Sequence, residues 1–272
     1  MVRPVLIFFV FLITVGGVFG QKDNNKKKKD TRITDKDYQN EDDKKQKLFV
    51  TIGPEIDIII PTDFGARPNI LYSDTMYTFS PNVSYRIGAC LRFDFSRTFS
   101  LQTGLYYINR NYSVKVGRSN PIQTEIEQEF YSNTINYTGF ELPIMGLFYV
   151  QLGRQWFMNN AVGFSADFYP SSILKGGGSD PYQIYGGRNS WCVPAMKAAI
   201  GFEWRSENAG YFYLGGQFHR PFFPIFSGFV ERSQLEPYGY QTAEIPQSGT
   251  YFSVDIKYFF PTGKKNKWTQ NR

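Results

Sequence analysis

The sequence predicts an all-β fold, an eight-stranded antiparallel up-and-down barrel, and three observations support this prediction. Polar and apolar residues alternate with a period of two from residue 48 to residue 260. Eight separate segments show this alternation. Short and long connections between the segments alternate strictly, which is typical of a barrel whose elaborate loops all lie at one end.

A hairpin between Tyr85 and Tyr107 is the clearest part of this pattern. Its two arms each separate an apolar set from a polar set, and the turn Ser-Arg-Thr joins them. In the first arm the apolar set is Tyr85, Ile87, Ala89, Leu91 and Phe93. The polar set of that arm includes Arg86, Arg92 and Asp94, so one face of the hairpin is apolar and the other is charged.

The same reasoning assigns all eight strands. The predicted strands are 48–60, 77–94, 98–111, 136–151, 155–168, 192–205, 210–220 and 249–260. The turns "SRT", "LGRQ" and "RSENAG" are short, whereas the connections near 61–76, 112–135, 169–191 and 221–248 are long. The third long connection, with "KGGGSDPYQIYGGRNS", is expected to be mobile.

Alternation alone leaves two barrels open, a soluble ligand-binding barrel with apolar residues inside and a membrane barrel with apolar residues outside. The apolar face is almost free of charge, and the polar face combines Gly and Ser with few charges of both signs. Aromatic side chains gather toward strand ends, as in interfacial girdles; they are Tyr85, Phe99, Tyr107, Trp156, Phe168, Trp204 and Tyr258. We therefore predict a transmembrane barrel of the bacterial outer membrane, with short periplasmic turns and long extracellular loops.

The segments outside the barrel differ sharply in composition. Residues 1–20 have Arg3 before an apolar run and are expected to be a signal peptide cleaved before Gln21. Residues 21–47 carry ten basic and seven acidic side chains and are expected to be a disordered periplasmic tail. Residues 261–272 form a second basic periplasmic tail. Because the net charge of +6 lies in the tails, nucleic-acid binding is not expected.

With the apolar face of every strand outward, twelve charged side chains are predicted to lie in the lumen. They are Glu55, Asp57, Arg86, Arg92, Asp94, Arg110, Glu141, Asp167, Lys197, Glu203, Asp255 and Lys257. Burial demands that such charges be paired, so we expect a packed, salt-bridged interior, with Arg110 and Glu141 as a candidate pair. A proton or small-ion path stays open as an alternative, but a wide pore is excluded by the strand count.

Other chemistry has little support in the sequence. His219 is the sole His and is expected near the outer rim, where Ser165 or Asp167 could complete the site of an outer-membrane enzyme. Cys90 and Cys192 are expected too far apart for a disulfide. We predict no cofactor and no metal, because the chain lacks a Cys/His ligand set.

The fourth long loop contains an unusual group of apolar residues: Phe222, Phe223, Ile225, Phe226 and Phe229. These side chains could cover the barrel mouth, extend along the membrane interface, or form a patch for docking a partner. The sequence leaves the three alternatives open.

"SLQTGLYY" contains the Ser100-Leu101-Gln102 start of a strand, and "FELPIMGLFY" contains Glu141 and Pro143. These short patches resemble the PorT-like outer-membrane β-barrel family. "AAIGFEW" and "YFYLGGQF" are similar to the late hairpin of that family. The resemblance implies a non-enzymatic barrel with a link to type IX secretion. We therefore expect an accessory or scaffold subunit whose partners are outer-membrane lipid and proteins of a membrane complex.

Overall fold

The computed structural model describes residues 49–62, 69–72, 74–96, 98–119, 126–175, 182–206, 209–232 and 242–261. The predicted signal peptide, the tail at 21–47 and nearly all of the C-terminal tail lie outside these residues. The strands are β1 (Phe49–Pro61), β2 (Asn69–Tyr72), β3 (Thr75–Asp94), β4 (Phe99–Arg118), β5 (Gln128–Gln151), β6 (Trp156–Phe168), β7 (Ile173–Lys175), β8 (Tyr182–Arg188), β9 (Cys192–Ser206), β10 (Gly210–Pro221), β11 (Phe226–Arg232), β12 (Thr242–Gln247) and β13 (Tyr251–Phe259).

A closed ring of antiparallel strands forms the body of the protein. Its order is β1-β13-β10-β9-β6-β5-β4-β3, and β3 pairs with β1 to close it. Ile56 illustrates the closure, because it lies opposite Ile256 on one side and Ile87 on the other. Within the described residues the ring therefore contains eight strands, and the predicted antiparallel barrel is confirmed. No helix in this part of the chain has the length and apolarity to cross a membrane.

Burial along β1 shows which face of the barrel is inside. Asp57 is fully buried, whereas its neighbours Ile56 and Ile58 are each 53% exposed. The same alternation holds in β13, where Asp255 is buried and Val254 is exposed. Since apolar side chains line the outside and charges the inside, the alternative of a soluble ligand-binding barrel is wrong.

The strands β4 and β5 continue beyond the level at which we expected loops. β4 runs to Arg118 and β5 begins at Gln128, so the predicted loop at 112–135 is mostly a hairpin. The alternation of buried and exposed residues continues through this hairpin, where Val114 and Val116 are buried. On its exposed surface Lys115 Nζ donates to Glu129 Oε2 at 2.8 Å, and this hydrogen bond lowers the pKa of Glu129.

A second sheet, with strand order β12-β11-β8-β7, is built from the third and fourth long connections. The expectation that the third connection is mobile is wrong for residues 182–188, which form β8 and pair with β11. Glycine permits a close approach here: a Cβ on Gly228 would lie 2.5 Å from the ring of Phe79. We call these four strands the outer sheet.

The outer sheet shares an apolar core with the extended hairpins, which we call the mouth cluster. Its buried members are Tyr77, Phe79, Tyr112, Val114, Val116, Ile135, Tyr137, Tyr169, Tyr182, Ile184, Val193, Ile225, Phe226, Val230 and Ile245. Phe226 is fully buried, with its ring centroid 4.4 Å from Tyr137 and 4.9 Å from Tyr112. Burial of this cluster joins the outer sheet to the barrel.

The five apolar residues of the fourth loop therefore have different environments. Ile225 and Phe226 are buried in the mouth cluster, whereas Phe222 and Phe223 are 54% and 64% exposed. Phe222 lies 6.5 Å from Phe164 on the outer face of the barrel. Phe229 is half-buried and lies 5.8 Å from Tyr185. Ile225 and Phe226 thus cover the barrel mouth, and Phe222 and Phe223 extend the apolar exterior.

Candidate functional site: the charged barrel interior

All twelve side chains predicted to lie in the lumen are buried there, and none is more than 7% exposed. Their positions follow from the period of two: each comes from the polar face of a ring strand, and neighbouring strands keep these faces in register. Asp57 thus lies opposite both Arg86 on β3 and Asp255 on β13. Closure of the ring brings most of these charges together in two groups.

Arg86 is the centre of the first group. Its Nη2 donates to Glu55 Oε1 at 2.7 Å, and its other nitrogens donate to Asp57 Oδ2 and Glu141 Oε1. The guanidinium carbon lies 4.3 Å from the centre of the Tyr106 ring. A single buried guanidinium therefore binds carboxylates from both β1 and β5, and it ties three strands of the barrel together.

Lysines complete this first group on its other side. Lys197 Nζ donates to Glu141 Oε1, and Lys257 Nζ lies 3.4 Å from Glu55 Oε1. Two tyrosine hydroxyls also donate to these glutamates, Tyr106 to Glu55 at 2.7 Å and Tyr251 to Glu141 at 3.1 Å. Both glutamates are therefore surrounded by donors, as burial of their charge requires.

The second group lies nearer the short turns and centres on Glu203. Arg92 binds both of its carboxylate oxygens, at 3.0 and 2.7 Å, and Arg205 Nε donates to it at 2.5 Å. The Arg92 guanidinium stacks 3.8 Å from the Phe259 ring, and that of Arg205 lies 4.2 Å from the Phe157 ring. Sequence reasoning missed Arg205, although it is in phase with Glu203 two residues earlier, because the predicted strand ended there.

The predicted pair of Arg110 with Glu141 is wrong. In the register of β4 with β5, Glu141 lies opposite Tyr106, and Arg110 lies opposite Tyr137, four residues away. Arg110 instead donates to the carbonyl of Gly249 at 2.8 Å and lies 4.0 Å from Asp167. The prediction placed both residues high on adjacent strands but could not fix the offset between those strands.

His219 does lie close to Ser165 and Asp167, as its rim position suggested, but the arrangement is not that of a catalytic triad. The distances from His219 Nε2 are 3.3 Å to Ser165 Oγ and 3.0 Å to Asp167 Oδ2. In a triad the acid binds the ring nitrogen that does not face the nucleophile. Here both groups face Nε2, and the Ser165 hydroxyl itself donates to Asp167 at 2.9 Å. All three side chains are buried.

The remaining interior leaves little free space. A cavity of about 10 Å³ lies beside the first charged group and is also lined by Gln102, Asn159 and Gln217; this volume corresponds to about one water molecule. Cys90 and Cys192 are free thiols; the Cys90 thiol donates to the carbonyl of Gly53 at 3.3 Å. In the described barrel, side chains fill the lumen between the short turns and the mouth cluster.

The comparison with known families decides what kind of barrel this is. Residues 67–227, more than half of the chain, match the family model described as the outer membrane protein beta-barrel domain. The chain belongs to that family. The protein is therefore an outer-membrane β-barrel, and its apolar exterior faces the membrane lipid.

Two solved structures are similar to this outer-membrane barrel. The crystal structure of the outer membrane protein OprG from Pseudomonas aeruginosa is 9% identical, with a TM-score of 0.48 over 78% of this chain and 96% of OprG. The translocator domain of the autotransporter NalP from Neisseria meningitidis is 13% identical, with a TM-score of 0.36 over 83% and 93%. No curated protein matches the sequence.

Membrane localisation makes the outer face of β5 sensitive to charge. Ile144 is 55% exposed near the middle of the apolar run on this strand. We expect Ile144→Arg to destabilise the barrel by about 2–4 kcal/mol, the cost of a cation at the bilayer midplane. Urea unfolding of the protein refolded into lipid vesicles measures this cost.

Thr134→Arg provides the matched control for this change. Thr134 lies on the same face of β5 and is exposed, but it is in the extended hairpin. Its replacement should change the free energy of unfolding by less than about 0.5 kcal/mol. Equal destabilisation by the two arginines would contradict the assignment of the β5 face to lipid.

Proposed function

We propose that this protein is a non-enzymatic and non-conducting outer-membrane barrel that serves as a scaffold subunit of a membrane complex. The observation that carries the proposal is the filled interior. Inside the ring Arg86 bridges three carboxylates and Arg92 binds both oxygens of Glu203, and the mouth cluster covers the outer end. A conducting barrel needs a continuous water-filled path, whereas a scaffold needs rigidity and accessible surface.

The absence of a nucleophile relay around His219 supports the non-enzymatic part of the proposal. A hydrolase would need a base that accepts the proton of Ser165 while an acid orients the other nitrogen of that base. Instead, Ser165 and Asp167 share one nitrogen of His219, and all three side chains are buried. This geometry suits a structural hydrogen-bond network between β6 and β10.

The exposed phenylalanines of the fourth loop support the scaffold part. Phe222 and Phe223 are exposed next to the lipid-facing Phe164, so a partner that also sits in the outer leaflet could contact them. The resemblance to PorT-like proteins suggests a complex of the type IX secretion pathway. We propose these two side chains as the accessible part of the docking loop, since Ile225 and Phe226 are buried.

Two measurements test the proposal. In planar bilayers the purified protein should give no current steps under conditions in which a porin gives them. In mild detergent it should co-purify with outer-membrane proteins of the secretion pathway, and Phe222→Ser with Phe223→Ser should release them. Phe95→Ser is the control, because Phe95 is 45% exposed at the opposite rim.

The outcomes separate the parts of the proposal. Steady single-channel currents from the wild-type protein would overturn the non-conducting reading. Isolation of the wild-type chain without partners would overturn the scaffold role. Recovery of the same partners with the double variant as with the wild type would overturn the assignment of the docking loop.

A further inference from the structure

Three acidic side chains meet in the lumen where β1 pairs with β13. Glu55, Asp57 and Asp255 each present a carboxylate oxygen within 4.8 Å of the others, and each residue is at most 1% exposed. Asp57 and Asp255 lie directly opposite in the register, so both must project into the lumen side by side. Like charges directly opposite each other in a sheet are destabilising.

The surrounding hydrogen bonds leave one oxygen of each aspartate without a partner. Asp57 Oδ2 accepts from Arg86, and Asp255 Oδ1 accepts from Ser253 Oγ at 2.6 Å. Asp57 Oδ1 and Asp255 Oδ2, both fully buried, have no hydrogen-bond partner among the described residues. An ionised carboxylate oxygen buried in this way is costly unless a positive charge approaches it.

The basic side chains nearby do not supply that charge in full. Arg86 and Lys257 contact the group through Glu55 and Asp57, and the other acid bound by Arg86, Glu141, has Lys197 as its own cation. Within the described residues no Lys, Arg or His nitrogen lies within 4.0 Å of Asp255. Three carboxylates against two cations leave one negative charge.

The same excess appears in the whole described lumen. It holds seven buried carboxylates, the seven acids of the predicted network, and six buried Arg or Lys groups, namely Arg86, Arg92, Arg110, Lys197, Arg205 and Lys257. Counted against Arg and Lys alone, the buried carboxylates are therefore in excess by one negative charge. A monovalent cation would neutralise it, whereas a divalent cation would reverse it.

We propose that a small monovalent cation such as Na⁺ binds in the barrel interior between Asp57 and Asp255, with Glu55 as a third oxygen ligand. The donor atoms are all carboxylate oxygens, the type that hard cations prefer. Their separation of up to 4.8 Å equals about two cation–oxygen bonds of about 2.4 Å. The ion would hold β1 to β13, the first and last strands of the ring, and so stabilise barrel closure.

The test is equilibrium unfolding in urea of the purified full-length protein in detergent micelles. Samples in sodium chloride and in choline chloride are compared at equal ionic strength, with a chelator of divalent cations present. When the sodium concentration is about ten times its dissociation constant, the folding equilibrium constant should be about tenfold higher in sodium chloride than in choline chloride. A third arm uses a choline sample that contains calcium chloride in place of the chelator.

Asp255→Asn and Asp94→Asn are the paired variants. Asp255→Asn removes the excess charge, so it should lose the sodium response and be at least as stable as the wild type in choline. Asp94 lies outside the three-carboxylate group and accepts from Ser100 at 2.5 Å, so Asp94→Asn should keep the sodium response. If Asp255→Asn does not fold, the wild-type comparison decides the matter alone.

Four results would overturn the proposal. The wild-type protein could be equally stable in sodium and in choline. It could also be stabilised by acidification alone, which would indicate a proton shared by the two aspartates. It could respond to calcium and not to sodium, which would contradict a monovalent ion. Finally, a full sodium response in Asp255→Asn would place the binding site elsewhere.

Discussion

Replacement of Arg86 with methionine is expected to destabilise the barrel by about 3–5 kcal/mol, the usual cost of removing one partner from a buried ion pair. Arg86 donates to Glu55, Asp57 and Glu141, all of which are at most 1% exposed. Lysines remain beside two of these acids, but Asp57 loses the cation that it contacts. Urea unfolding of the refolded protein in micelles measures the change.

Two controls distinguish a lost charge pair from a general effect of the substitution. Lys115→Met breaks the exposed pair with Glu129 and should cost less than about 1 kcal/mol. Adding Asp57→Asn to Arg86→Met should restore part of the lost stability, because it removes the unpaired charge. Similar stability of Arg86→Met and the wild type would show that the interior pairs do not hold the strands.

Replacement of Phe226 with alanine should have a comparable effect, but on a different part of the molecule. Truncation of a buried phenylalanine typically costs about 3–5 kcal/mol, and Phe226 packs against Tyr112 and Tyr137. We expect the outer sheet to open locally, while the ring stays folded. Hydrogen exchange should therefore accelerate in β8, β11 and β12 and stay unchanged in β10 and β13.

Phe222→Ala is the matched control, since it lies four residues earlier and is 54% exposed. It should leave the exchange of the outer sheet unchanged. Faster exchange in β10 or β13 on replacement of Phe226 would show that the outer sheet and the ring unfold together. Unchanged exchange in β11 would mean that the mouth cluster does not hold the sheet in place.

The period of two was enough to predict the ring and the inside of the barrel. A lipid-facing strand cannot shift by one residue without moving its charges into lipid. The inward direction of residues such as Arg86 and Glu203 was therefore tightly determined. The pairing of specific charges was not predictable in the same way. It depends on the offset between neighbouring strands, and the pair of Arg110 with Glu141 was wrong for this reason.

For the part of the barrel outside the membrane, the sequence predicted the structure less well, and the reason is different. Above the bilayer no lipid constrains the pattern, and Gly-rich segments such as that around Gly186 and Gly187 have the composition of a mobile loop. Their strands form because β11 pairs with β8 and packs on residues such as Phe79. These contacts are distant in the sequence, and no local pattern reveals them.

Lipid surrounds the ring and packed side chains fill it, and tryptophan fluorescence in bromine-labelled lipid tests this arrangement most directly. In a protein whose own tryptophans are replaced by phenylalanine, one tryptophan is placed at Phe202 or at Phe157. The two sites are at the same depth, because Phe157 lies opposite Glu203, but Phe202 is 53% exposed and Phe157 only 8%. Bromolipid should quench the tryptophan at 202 strongly and the one at 157 weakly. Stronger quenching at 157 than at 202 would contradict the account.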